Sequence, residues 1–237
     1  KIDIISGFLG AGKTTLIKKL LQDAFKGQQV VLIENEFGEI GIDGGFLKDA
    51  GIEIKEMNSG CICCSLVGDF GTALAEVLEK YAPDRIIIEP SGVGKLSDVI
   101  KAVLGVKEKV AEDSVVLNSF TTVADATKCK MYMKNFGEFY NNQVEHAGTI
   151  VLSRTGNMKE DKLQACIDLI RTQNAEASII TTPWDQINGK QILDAMEKKN
   201  DLVKELLEEE DVCPECGHHH EHGEECDHDH DHDHHHD

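Results

Sequence analysis

Apolar residues fall along this chain in short, spaced runs. IDIIS (2–6), VVLIE (30–34), RIIIE (85–89), TIVLS (149–153) and ASIIT (177–181) are rich in Ile and Val and bounded by turn residues. Near-continuous rather than alternating hydrophobicity marks strands buried on both faces. Between these runs the apolar positions take helical spacing over 13–26, 68–81, 95–104, 159–173 and 189–208. Strands alternating with helices predict right-handed βαβ crossovers. The expected fold class is therefore α/β, a three-layer sandwich with a mostly parallel sheet between helices. Two more strands are predicted, IEIKEM (52–57), with a more exposed pattern, and SVVLNSFTTVAD (114–125), ending at Asp125. The pattern stops near residue 210. Residues 1–210 are expected to form one domain. The 211–237 tail, with almost no apolar residues, cannot bury enough surface to offset its ordering entropy and is predicted disordered without metal.

Composition sharpens this division. Of 237 residues 41% are hydrophobic, enough for one sizeable core, and the net charge is −19. The tail holds ten acids, no Lys or Arg, and ten of the eleven histidines. The remainder is still acidic, which argues against nucleic acid as a partner. No run approaches the roughly 18 apolar residues that span a bilayer, so no membrane partner is expected. The opening KIDIISG has neither a basic n-region nor a cleavage site, which makes the cytoplasm the default location. Thiols stay reduced there, so the eight cysteines read as ligands, redox groups or core residues before disulfides.

The most specific signal is GFLGAGKTT (7–15), between the first strand and the first helix. Gly7, Gly12, Lys13 and Thr14 complete G-x-x-x-x-G-K-S/T, and Gly10, Ala11 and Thr15 fill out the candidate nucleotide-binding run. Such glycines let backbone N–H groups curl round phosphates, the helix N-terminus adds its dipole, Lys13 neutralises β/γ oxygens and Thr14 can ligate Mg²⁺. The strand RIIIE ends at Glu89, beside the phosphate site of an open α/β sheet, where a carboxylate can support Mg²⁺. Lys13 and Glu89 are the candidate catalytic residues. Gly92, in the following PSGVG, is placed to approach a γ-phosphate through its N–H, and Asp84 falls at the opposite end of the strand.

A long segment separates the second strand from Glu89. It begins with Glu34, Glu36, Glu39 and Asp43 and later contains NSGCICCSL, with Cys61, Cys63 and Cys64. Segments here sense the γ-phosphate in P-loop switches. Three thiols so close are read as a metal grip, completed by a carboxylate such as Glu36 or Asp43, although a redox site and inert packing remain open. Cys129 and Cys166 lie in helical patterns and are read as packing residues. In the tail, Cys213 and Cys216 form a CPEC knuckle, followed by Cys226 and histidines interleaved with Asp and Glu. This is a set that binds Zn²⁺, Ni²⁺ or Co²⁺ without selecting among them.

With GFLGAGKTT, IENEFGEIGID (33–43), NSGCICCSL, IIIEPSGVG (86–94) and TTVADAT (121–127), the chain resembles the CobW-like P-loop GTPases, metallochaperones related to the GTPases that mature urease and hydrogenase. The resemblance runs from residue 1 to about 182. It implies a GTPase that binds GTP with Mg²⁺, holds Zn²⁺ (or Co²⁺ or Ni²⁺) at Cys61, Cys63 and Cys64, and couples hydrolysis to metal delivery to a client metalloprotein. It also implies a nucleotide-dependent homodimer. Many such proteins continue into a further domain after a His-rich linker. One departure concerns the base. Where the family carries N-K-x-D, this chain has Ser153, Arg154, Thr155 and Gly156. Gly156 has no carboxylate for guanine, whereas Arg154 can stack on a base, so GTP and ATP both stay open. An ATP-dependent maturation factor and a metal-storage or sensor protein are the alternatives.

Overall fold

Seven parallel strands make one sheet in the computed structural model, which describes residues 1–34, 53–56, 74–75, 77–110 and 114–198. They are β1 (Ile2–Gly7), β2 (Val30–Glu34), β3 (Glu53–Glu56), β4 (Arg85–Glu89), β5 (Leu117–Asp125), β6 (Thr149–Ser153) and β7 (Ser178–Ile180), in the spatial order β3-β2-β4-β1-β5-β6-β7. The helices named here are α1 (Lys13–Asp23), α2 (Leu96–Lys107), α3 (Cys129–Asn135), α4 (Gly137–Glu145) and α5 (Glu160–Arg171). Helical residues also occur at 74–75, 77–81 and 189–198. The strand order puts β1 at the centre. From it the chain moves out to β2 on one side, and from β4 it crosses to β5 on the other. The carboxyl end of β1 is therefore the switch point where open α/β sheets bind ligands.

The alternation of side chains along each strand divides the core into two layers. Ile2, Ile4, Ile86, Ile88, Ile150 and Leu152 pack with buried residues of α2, α4 and α5. On the opposite face Ile5, Leu32, Ile87, Val123 and Val151 meet Leu16, Ile17, Leu20 and Leu21 of α1 together with Ile192, Leu193 and Met196 of the 189–198 helix. That helix seats tightly on α1. A Cβ at Gly189 would lie 2.6 Å from the Lys19 carbonyl oxygen, and the Gly189 N–H donates to Asp23 Oδ2 at 2.7 Å.

At the amino-terminal edge of the sheet the interior is polar. Asp3 is completely buried and pairs with Arg85 Nη1. Its Oδ1 also accepts from Asn118 Nδ2 at 2.7 Å and from Ser119 Oγ at 2.5 Å. Consecutive residues of β5 both reach Asp3 because the β1–β5 register shifts between Ile2 and Asp3, as at a β-bulge. Arg85 stacks over Phe25, 4.5 Å from the ring centroid, and donates through Nη2 to Glu197 Oε1 at 3.2 Å. Glu197 also accepts from Asn118 at 3.0 Å, so this network pins the 189–198 helix to the sheet.

Burial raises the Glu197 pKa, but the bonds from Asn118 and Arg85 outweigh it and hold the carboxyl below its ordinary 4.5. A depressed folded-state pKa stabilises the fold above the unfolded value, and that stability is lost as pH falls through the folded one. Glu197→Gln should therefore leave a shallower acid limb in melting temperature measured from neutral pH to pH 3; an unchanged limb would contradict the assignment.

The predicted fold class matches the structure, but of the two helices over 129–145 only a helical pattern at Cys129 was anticipated. Residues 129–145 fold as α3 and α4, with Phe136 serving as the carboxyl cap of one and the amino cap of the other. The first has only seven residues, just under two helical periods, and Gly137 interrupts the pattern between them. The predictions for the 211–237 tail and for the acidic and NSGCICCSL segments lie outside the described residues.

Candidate nucleotide-binding site

The loop from Gly7 to Thr14 sits where β1 ends, and its glycines are required sterically. A Cβ at Gly7 would lie 2.5 Å from the carbonyl oxygen of Val123. Gly10 and Gly12 have φ of 69° and 111°, and Gly12 is the left-handed amino cap of α1. No side chain caps that helix, so its first N–H groups open toward the loop, as anion sites at helix termini require. Lys13 Nζ donates to the carbonyls of Gly7 at 2.9 Å and Phe8 at 3.4 Å, which holds the ammonium across the loop. Ala11 is buried, while Thr15 is exposed on the first turn.

Glu89, at the end of β4, is 5% exposed. Its Oε1 lies 3.5 Å from Thr14 Oγ1, at the outer limit of a hydrogen bond. A hydroxyl and a carboxylate converging beside a phosphate loop form an oxygen donor set that fits Mg²⁺. The loop after β4 closes this side. A Cβ at Gly92 would fall 2.7 Å from the backbone nitrogen of Leu9, so the two loops touch backbone to backbone. Sequence reasoning missed what holds that contact. Gln143 is completely buried in α4, and its Nε2 donates to the carbonyls of Gly92 and Gly94, both at 2.9 Å. The available signal was an amide on the core-facing stripe of Tyr140 and Val144. Gly92→Ala should push the two loops apart and weaken triphosphate binding by about 10-fold or more while the melting temperature falls only modestly; unchanged affinity by calorimetry would contradict it.

On the opposite side of β1, the loop after β6 braces the phosphate loop. Ser153 Oγ donates to Ala11 O at 2.6 Å. Arg154, with φ 59°, pairs through Nη1 with Asp125 and donates through Nη2 to Gly10 O at 2.9 Å. Asp125 in turn accepts from Thr127 N at 2.9 Å and Thr127 Oγ1 at 2.6 Å. Trp184, also missed in the sequence, brings Cη2 to within 3.1 Å of a Cβ placed on Gly12. Its indole Nε1 is fixed on Leu152 O at 2.9 Å.

The structure thus brings together Gly7, Gly10, Ala11, Gly12, Lys13, Thr14, Glu89, Gly92, Ser153 and Arg154. Asp84 sits at the other end of β4, as its place in the sequence implies, and accepts from Gln29 N at 2.8 Å, which joins it to the residue before β2. Glu36, Asp43, Cys61, Cys63, Cys64, Cys213, Cys216 and Cys226 lie outside the described residues. Among the described residues, no three His, Cys, Asp or Glu side chains cluster as a metal site, and no helix is long and apolar enough to cross a membrane. Cys129 and Cys166 are buried free thiols with Sγ atoms 2.9 Å apart. The hydrogen bond between them lowers the pKa of Cys129 and, together with burial, raises that of Cys166.

The family description "CobW/HypB/UreG, nucleotide-binding domain" matches residues 1–181, a span that contains the whole cradle. The chain belongs to this family. A zinc chaperone CobW from Sinorhizobium sp is similar at 35% identity over 249 aligned positions, covering 94% of this chain and 69% of that protein. The zinc chaperone YjiA of Escherichia coli (strain K12) is 31% identical over 193 positions, covering 79% of this chain and 58% of YjiA. This chain therefore spans 69% and 58% of the length of these two relatives. Among solved structures, the Zn(II)-bound YjiA GTPase from E. coli superposes with a TM-score of 0.58 at 24% identity, covering 80% of this chain and 61% of that one. Hydrogenase maturation factor HypB from Archaeoglobus fulgidus gives 0.53 at 17%, covering 87% and 89%. Both likenesses are of fold.

Proposed function

We propose that this protein is a nucleotide-gated metallochaperone, a GTPase that holds a transition metal, zinc foremost, and couples hydrolysis to its delivery to a client metalloprotein. The observation that carries the nucleotide half is the cradle itself, in which the uncapped α1 terminus, Lys13 and the Thr14–Glu89 pair converge at the switch point of the sheet. Names of relatives that are zinc chaperones support the metal half.

In this reading the N–H groups of Gly12, Lys13 and Thr14 bind the phosphates, and the Lys13 ammonium moves from the loop carbonyls to β/γ oxygens. Thr14 and Glu89 would hold Mg²⁺, which neutralises phosphate charge when bound. Glu89, buried, orients the attacking water on the γ side. Gly92, packed on Leu9 and held by Gln143, transmits the presence of the γ-phosphate to the loop after β4. Cys61, Cys63 and Cys64, with Glu36 or Asp43, carry the cargo, and in the sequence they lie between β2 and β4, the strands whose last residues, Glu34 and Glu89, pair in the sheet. Cys213, Cys216 and Cys226 capture metal from solution with the tail histidines. A cytoplasmic location and a nucleotide-dependent homodimer complete the proposal. The test is zinc affinity in different nucleotide states, because a nucleotide that does not change zinc affinity gates nothing.

A further inference from the structure

We propose that this site takes adenine and guanine nucleoside triphosphates with little discrimination, the base being held against Trp184 rather than read by a carboxylate. The inference rests on the nucleotide reading above. It begins with where the base must lie. The Mg²⁺-side groups, Thr14 and Glu89, are on the β4 side of β1. A triphosphate whose terminal end faces Glu89 directs its nucleoside the other way, across β5 toward the ends of β6 and β7. There the loops after β6 and β7 close on the cap of α1. A Cβ at Gly12 would meet Trp184 Cη2 at 3.1 Å, Trp184 Cζ3 at 3.5 Å and Ser153 Cβ at 3.8 Å.

Guanine presents two N–H donors, at N1 and the exocyclic amine, and selecting it over adenine requires acceptors for them. Neither 153–156 nor 181–184 contains an acid. Asp125 is nearby but 2% exposed, and both of its oxygens are engaged, Oδ1 by Thr127 and Oδ2 by Arg154. Arg154 offers only donors, and the hydroxyls of Ser153, bonded to Ala11 O, and of Thr155 are buried. Asp185 is exposed in the turn closed by Gln186 N–H donating to Pro183 O at 2.9 Å. Among the described residues, the aromatic side chain these loops bring to the rim is a half-buried indole fixed through Nε1 on Leu152 O. Stacking on such a ring tolerates any base, since every base has a π face.

The glycine at 156 is not there for its backbone. Its φ lies outside the left-handed region, and a Cβ would meet only Pro183 Cβ, at an ordinary 3.7 Å. An aspartate therefore fits and would return an acceptor to the rim. A bidentate carboxylate of this kind discriminates between bases by roughly 5–150-fold.

Trp184 is the only tryptophan of the chain, so its fluorescence reports on this site alone. Titration of the full chain with GTP and ATP in the presence of Mg²⁺ should perturb it in both cases, with dissociation constants within about 10-fold of each other. Gly156→Asp should shift the ratio toward GTP by roughly 5–150-fold, and Asp185→Asn should leave it unchanged. A wild-type preference above about 100-fold for either nucleotide overturns the proposal, as does a ratio indifferent to Gly156→Asp or moved more than about 10-fold by Asp185→Asn. Calorimetry alongside separates the two levels. Binding of GTP alone overturns only this inference, whereas binding of neither nucleotide overturns the nucleotide reading on which it rests.

Discussion

Lys13→Ala is expected to lower nucleotide turnover by at least about 100-fold and to weaken triphosphate more than diphosphate binding. The basis is geometric. The ammonium lies across the mouth of the loop, 2.9 Å from Gly7 O and 3.4 Å from Phe8 O, at the start of a helix whose N-terminus no side chain caps. A positive charge fixed there meets the negative charge of β/γ oxygens where water is partly excluded. Removing one such preorganised donor typically costs about 100- to 1,000-fold in rate. The side chain is half-buried and its bonds to the Gly7 and Phe8 carbonyls stay within one loop, so the fold should survive its loss. Phosphate release measured beside a melting curve checks both parts. Near-normal turnover in a folded variant would remove Lys13 from the chemistry.

Arg85→Ala is expected to produce the largest loss of stability, about 3–5 kcal/mol, although Arg85 lies at the end of β4 away from the phosphate loop. Arg85 and Asp3 are 4% and 0% exposed, and removing the guanidinium leaves a buried carboxylate with only the Asn118 and Ser119 donors. It also releases the stack on Phe25 and one of the bonds to Glu197. For a chain of this size the loss corresponds to a fall of about 6–20 °C in melting temperature. Asp3→Asn in the same background should recover part of it, because the uncompensated charge disappears. Urea unfolding of both variants reads the effect through the midpoint. Additive losses would mean that the ion pair is not what holds this edge.

The phosphate-loop half of the candidate site was legible in the sequence because its motif is carried by contiguous residues. The glycine spacing of 7–14 put Lys13 and Thr14 at the loop that follows β1, and the apolar run RIIIE put Glu89 at a strand tip, where it meets Thr14. The supporting residues were not legible, because each acts through a contact distant in sequence. Gln143 reaches back to Gly92, Trp184 covers Gly12, and Asp125 acts through Arg154. Their residue types are ordinary, and only the βαβ topology makes them neighbours. The chemistry of Arg154 suggested stacking on a base, and in the structure its guanidinium ties Asp125 to Gly10, a contact that the sequence does not show. The Asp3 network escaped for another reason. A charged residue inside an apolar run reads as a strand end until its partners on β4 and β5 are known.

The gating claim stands or falls on zinc affinity. It should be measured on the full chain with a competing chromophoric chelator, in the presence of a non-hydrolysable triphosphate, the diphosphate, or neither. The account predicts that the dissociation constants differ by about 10-fold or more between the triphosphate and diphosphate states, with zinc shifting nucleotide affinity by the same factor. It also predicts that this difference vanishes when Cys61, Cys63 and Cys64 are replaced by Ser, leaving only nucleotide-independent binding by the tail. Equal zinc affinity in all three states would contradict it.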